Sequence, residues 1–432
     1  MMDINNLPAT IKIDVEYYDS TEKVKLENYI SADLIKSVAG HTIEIPTVDF
    51  LTYYIFYKKT PGKEGFSTFD DLSKRFSDSL TELDGYFTFD DGSLRTNVGE
   101  NYTDTATSER IGEAIGLSVV NEIHGLNRAD WNKIDEIRGA APKKTFDYEY
   151  EYEVGSDGKN IIHIENKGSL VNDNSRKPPS ISNHKSNIVT KKVKIRADKS
   201  YPYPSNLMYG TIGAIDSEKK RNAKCWLLDP DPEEIDIDPM KLRLLNRYDY
   251  LLNIILMISP RSHLTTALTN RFHDLAAIKD YQALDGLPVR MASGKKFSLY
   301  DGDYTNSPLH AGNKSRLSEG DSIGKVVAYG DEQLLYLGID MYALNAMVNQ
   351  DFEQVVQYSN KQRSSRDSVQ CSFSMAQQRK LSRQLELYSR YSEPSMLIPS
   401  GPSSGTVSYN IDANIVSFRE GLLFAVLDTK NN

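Results

Sequence analysis

Two carboxylates and a lysine, Asp147, Glu165 and Lys167, stand at spacings that a single hairpin would bring together. From Phe146 to Val154 aromatic or apolar residues alternate with acids, and Ile161-Ile162-His163-Ile164 leads into Glu165-Asn166-Lys167. Alternation of this kind is the period of a β-strand. Gly155-Ser156-Asp157-Gly158 between the two runs carries the residues of a tight turn. Folding about Ser156 sets Asp147 opposite Glu165, and directly opposed side chains of an antiparallel pair share a face. Asp147, Glu165 and Lys167 therefore converge, with His163 just behind. Paired carboxylates suit a hard, oxygen-seeking cation such as Mg²⁺, here beside an ammonium group.

An element carrying further acids precedes the hairpin. Ile111, Ile115 and Val119 keep helical spacing after Ser108, a suitable N-cap, so a helix is expected up to Gly125. Glu109 and Glu113 share one of its faces, being four residues apart.

Asp147, followed by Glu165-Asn166-Lys167 and preceded by an acid-bearing helix, resembles the PD-(D/E)XK, or restriction-endonuclease-like, nuclease superfamily. The resemblance covers about residues 105–200, and Phe146 stands where the family commonly has proline. It implies an α/β fold: a restriction-endonuclease-like core with a mixed β-sheet flanked by helices. It also implies Mg²⁺- or Mn²⁺-dependent hydrolysis of nucleic acid, DNA foremost. Asp147, Glu165 and the Asn166 carbonyl would ligate metal, Lys167 would steady water or developing charge, and Glu113, with Glu109 second, would supply the helix acid. A bare D…ExK pattern is common by chance, and the competing reading is a surface hairpin whose Glu149, Glu151 and Glu153 form a solvated face. That reading accounts less well for an acid–lysine pair at the end of an isoleucine-rich strand.

After the hairpin, Pro178-Pro179 reads as loop, and His184, Lys185, Lys191, Lys192, Lys194 and Arg196 follow as a candidate phosphate-binding patch. A solvated basic face is the equal alternative. His184 could orient water or phosphate, although a surface-loop histidine is the simpler reading.

The chain of 432 residues has room for several cores, and its net charge of −9 excludes a general positive coating, so nucleic acid would have to meet local patches. Only two cysteines, Cys225 and Cys371, are present, too few and too far apart for a disulfide framework or a cysteine zinc site. No basic segment followed by an apolar run opens the sequence and no apolar stretch is long enough to span a bilayer, so a cytoplasmic location is expected.

Three regions are expected: an N-terminal accessory α+β region over 1–104, the nuclease-like core over 105–235, and a largely helical α+β region over 236–432. In the last, residues from Leu242 to an end at Pro260, 263 into the 270s, 333–362 and 375–391 read as helices, and 406–424 as strands. The flanks would set specificity, oligomerisation or a trigger. A homodimer or a partner protein of a microbial genome-defence system is the corresponding expectation, by architectural analogy.

Other patterns carry less. Residues 229–238 are acidic but lack the spacing of a calcium loop. Gly401-Pro402-Ser403-Ser404-Gly405 matches a nucleophile elbow only as letters, with prolines before it and a strand-like segment after. Val289 replaces the first glycine a P-loop would need before Gly294-Lys295. Arg379, Lys380, Arg383 and Arg390 could face nucleic acid or a partner, but a solvent-facing helix is the better reading.

Overall fold

The computed structural model describes residues 7–28, 32–57, 69–98, 105–134, 144–154, 158–203, 205, 207–218, 221–230, 239–259, 262–297, 299, 315–317, 322–329, 333–359, 363–374, 406–417 and 419–428. Two compact units emerge: residues 1–59 with 77–243, and residues 60–76 with 244–432.

The first unit is a mixed sheet with helices on both faces. Its strands are β1 (Thr10–Tyr17), β2 (Thr42–Pro46), β3 (Phe87–Asp90), β4 (Ser93–Thr96), β5 (Asn132–Lys133), β6 (Tyr148–Val154), β7 (Gly158–Val171), β8 (Leu207–Asp216) and β9 (Ala223–Leu228). They lie in the order β3-β4-β1-β9-β8-β7-β6-β5, with β2 paired to β1. β6 and β7 are antiparallel, β7 and β8 parallel, β8 and β9 antiparallel. β1 alternates because it buries one face, with Ile11, Ile13 and Val15 inside. All ten residues of β8 are buried, as a central strand covered on both faces demands.

The helices are α1 (Ser20–Glu27), α2 (Ala32–Val38), α3 (Thr47–Ile55), α4 (Phe69–Tyr86, from its ninth residue on), α5 (Thr105–His124) and α6 (Pro179–Ala197). α5 and α6 take opposite faces of β8: a Cβ on Gly213 would meet Ile115 of α5, and one on Gly210 would meet Ile188 of α6. The expected boundary after residue 104 is not where the chain divides. β1 joins the core sheet by parallel pairing with β9, Ile13 opposite Ala223, so the N-terminal strands are part of the same layer.

The second unit holds α7 (Pro239–Ile258, from its sixth residue on), α8 (His263–Ala277), α9 (Met341–Asn349) and α10 (Phe352–Gln357). Its strands β10 (Ser315–Leu317), β11 (Ser322–Tyr329), β12 (Gln333–Asp340), β13 (Arg363–Ser374), β14 (Thr406–Ser417) and β15 (Leu422–Asp428) close into an antiparallel barrel, β10-β11-β12-β15-β14-β13. The expected largely helical character is thus corrected. Residues 333–340 form a barrel strand, because Leu334 to Ile339 are buried on both faces and an unbroken apolar run does not distinguish strand from helix. The expected helix at 375–391, the GxSxG match at 401–405 and the four basic residues from Arg379 to Arg390 lie outside the described residues, as do 231–238 of the acidic run. Among the described residues no helix is long and apolar enough to cross a membrane.

Candidate active site

The hairpin adopts the register that folding about Ser156 predicts. Tyr148 pairs with Ile164 and Val154 with Gly158; the turn at 155–157 and the side chains of 148–160 lie outside the described residues. Asp147 immediately precedes β6 and extends the pairing, its N–H donating to the Ile164 carbonyl at 3.0 Å. Its Oδ2 accepts from the Asn166 N–H at 2.9 Å, which ties the acid to the strand bearing Glu165 and Lys167.

Glu165 is fully buried. Its Oε1 lies 2.6 Å from the Lys167 ammonium, and both its oxygens lie 2.5 Å from the ammonium of Lys191. Burial raises the Glu165 carboxyl above its ordinary pKa, and the nearby Asp147 charge raises it further against the pull of Lys191 and Lys167. Burial alone would depress Lys167, but Glu165 and Asp147 outweigh it and raise its pKa, so the ammonium stays charged.

α5 reaches the site because glycine lets it lie on the backbone of β7. A Cβ on Gly112 would fall 2.3 Å from the Gly168 nitrogen, and one on Gly116 would fall 2.2 Å from Asn166 Oδ1. Asn166 therefore faces α5, where its Oδ1 accepts from Thr211 at 2.6 Å, while Glu165 meets α6 on the other face. The helix starts at Thr105, so Ser108 sits in its first turn rather than at its cap. Glu113 is buried and Glu109 exposed. The charge of Glu109 on α5 contributes to raising Lys167. Both acids act, together with Asp147, on Tyr57, whose hydroxyl donates to Glu109 and whose pKa is raised, mainly by burial.

The basic run after the hairpin is helix α6, which begins at Pro179 and carries His184, so that histidine stands on a helix and not on a loop. Pro179 occupies its first turn, where a missing N–H costs nothing. Helical period then separates the six expected phosphate-binding residues. Lys192 is buried and bonds the Asp229 carbonyl; Lys185 lies 2.5 Å from Asp19 Oδ2; Arg196 bonds the Ser205 carbonyl at 3.0 Å. Lys191 points to Glu165, and Lys194 is exposed. His184 is half-buried, its Nε2 3.0 Å from Ser169 Oγ and 3.2 Å from the Gly168 carbonyl. Burial and the neighbouring Lys167 lower its pKa, which favours a neutral ring. Sequence reasoning did not anticipate Tyr57 or the Lys191–Glu165 pair. Ile181, Ile188 and Ile195 are the stripe that could have placed Lys191 on an inward-facing helix.

Among the described residues no group of three or more His, Cys, Asp or Glu gathers as a metal site. The donor chemistry still fits a hard divalent cation, because Mg²⁺ is commonly held by one or two carboxylates with substrate and water completing its shell, and Asp147 and Glu165 repel each other in its place. Compared with protein-family models, curated proteins and solved structures, the chain matches none.

Proposed function

We propose that the protein is a metal-dependent nuclease that hydrolyses phosphodiester bonds, with DNA the first substrate to test. The observation that supports it best is the convergence of Asp147, Glu165 and Lys167 at the end of one hairpin, with Glu109 of α5 near enough for its charge to act on Lys167. Asp147, Glu165 and the Asn166 carbonyl would hold Mg²⁺ or Mn²⁺, with Glu113 or Glu109 serving a second ion; the cation would supply charge to the scissile phosphate and acidify water. Lys167 keeps its proton and can stabilise negative charge developing on the phosphoryl oxygens. His184, held neutral by burial beside Lys167, can orient a water or a phosphate oxygen. Of the basic helix, Lys194 faces solvent, whereas Lys185 and Lys192 are engaged in ion pairs of the fold.

The test is incubation of wild type and Glu165→Ala with plasmid, linear duplex, single-stranded DNA and RNA, each with Mg²⁺, Mn²⁺ or EDTA. Cleavage that needs both the cation and Glu165 supports the nuclease; metal-independent cleavage, or none on any substrate, counts against it. The second reading is a catalytically silent nucleic-acid-binding or regulatory protein on a similar fold. The observation in its favour is that two ammonium groups already neutralise Glu165. A structural or assembly protein is a third, which binds neither cation nor nucleic acid.

A role in microbial genome defence belongs to the same proposal and rests on architecture, a mixed-sheet unit joined to a barrel unit. Growth arrest on expression of wild type but not of Asp147→Ala would support it, and equal tolerance of both would oppose it.

A further inference from the structure

Lys191 stands apart from the other cations of the site. It comes from α6, across the sheet face from α5, yet its ammonium grips both oxygens of a carboxylate that has no exposure to solvent. Its second neighbour is the ring of Phe146, whose centre lies 5.9 Å away. Phe146 is itself buried and directly precedes Asp147. The ammonium thus rests between an aromatic face and the acid, at favourable distances for both. The Glu165 carboxylate is already held by two ammonium groups, Lys167 and Lys191, while Asp147 and, at Lys167, Glu109 add negative charge nearby. A divalent cation that takes Glu165 must displace the Lys191 ammonium or crowd positive charge against it, which is costly at low dielectric.

The geometry points to Lys191 as a built-in competitor of the divalent cation, which holds Glu165 until a phosphodiester offers its ammonium another anion. This rests on the nuclease reading. On substrate arrival the Lys191 ammonium moves from Glu165 to a non-bridging phosphate oxygen and the carboxylate passes to the cation. Lys191 is a fifth exposed, so its side chain has a path to such an anion without unfolding of the strand. Cation and nucleic acid then bind with positive cooperativity, since the phosphodiester gives Lys191 another anion and so frees Glu165 for the cation. Binding of the cation alone is weakened by the contact it must displace.

The test is calorimetric titration of the intact chain with Mn²⁺, alone and with a short phosphorothioate duplex, for wild type, Lys191→Met and the exposed control Lys199→Met. Lys191→Gln replaces Lys191→Met if the latter does not fold. A hydrogen bond to a charged group is worth about one order of magnitude or more in an equilibrium constant. Lys191→Met is therefore expected to bind Mn²⁺ alone about ten-fold more tightly, and to lose most of the gain that the duplex gives wild type. Lys199→Met should match wild type. Equal or weaker Mn²⁺ affinity in Lys191→Met, with wild type binding, overturns the competitor role and leaves the nuclease reading standing. Failure of both proteins to bind Mn²⁺ overturns the two together.

Discussion

Gly112 of α5 and Gly168 of β7 meet backbone to backbone. A Cβ added to Gly168 would fall 2.8 Å from the Gly112 Cα and 1.8 Å from the Ser108 carbonyl oxygen. This approach sets the height of α5 over the sheet, and hence where Glu109 and Glu113 stand relative to Lys167.

Gly112→Ala should therefore lift α5 away from the strand. The expected cost is roughly 3 kcal/mol, at the upper end for overpacking because the neighbour is backbone. That corresponds to a melting temperature lower by about 6–12 °C. Gly85→Ala, in the helix α4 where nothing lies within 4 Å, should be neutral or gain about 0.5–1 kcal/mol. Thermal melts of the two variants check this; equal effects would show that the approach is not close in solution.

Lys167→Ala should reduce cleavage by at least about a hundred-fold, the usual effect of removing one group that stabilises transition-state charge. DNA binding and the fold should survive, because Lys191 still neutralises Glu165. Retained cleavage in single-turnover assays would remove Lys167 from its proposed role.

Mn²⁺ or Mg²⁺ should raise the melting temperature of wild type. A ligand at a hundred times its dissociation constant adds about 2.7 kcal/mol to the native state. Asp147→Ala should lose that increment. Equal stabilisation of both proteins would place the cation elsewhere.

The basic residues of α6 should separate into two classes. Lys192→Ala removes a buried partner of Asp229 and should cost about 3 kcal/mol of stability. Lys194→Ala should leave the melt unchanged but weaken nucleic-acid binding and lower its salt slope by about one. Salt-dependent binding isotherms and melts on the pair distinguish them.

His124 gives the fold an acid limit. It is buried on α5 with Nε2 2.9 Å from the Tyr209 hydroxyl, and burial lowers its pKa to about 3. The unfolded chain then binds the proton more readily, from the ordinary value near 6.5 downward, so stability falls as pH drops through that window. At pH 4 the loss is about 3 kcal/mol. Melts between pH 7 and 4 should show a shallower decline in His124→Gln; parallel curves would mean that His124 is not the group titrating.

The hairpin is legible in the sequence because its information is local. A period of two fixes which residues share a face, and a turn centred on Ser156 fixes the register of Tyr148 with Ile164, so the approach of Asp147 to the strand bearing Glu165 follows from one short segment of chain. The glycine-marked helix α5 and the apolar strands β8 and β9 are legible for the same reason. Long-range pairing is not. That β1 lies beside β9, or that β10 to β15 close into a barrel, depends on partners far apart in the chain whose own patterns do not name each other. The basic run shows its charge but not its destinations, since those follow from α6 packing on β8 through Ile188. Residue types and spacing determined that two acids and a lysine would meet. Only the tertiary structure decided that a second lysine, Lys191, would hold the buried acid, because burial and long-range charge belong to the packed sheet and not to any one segment of it.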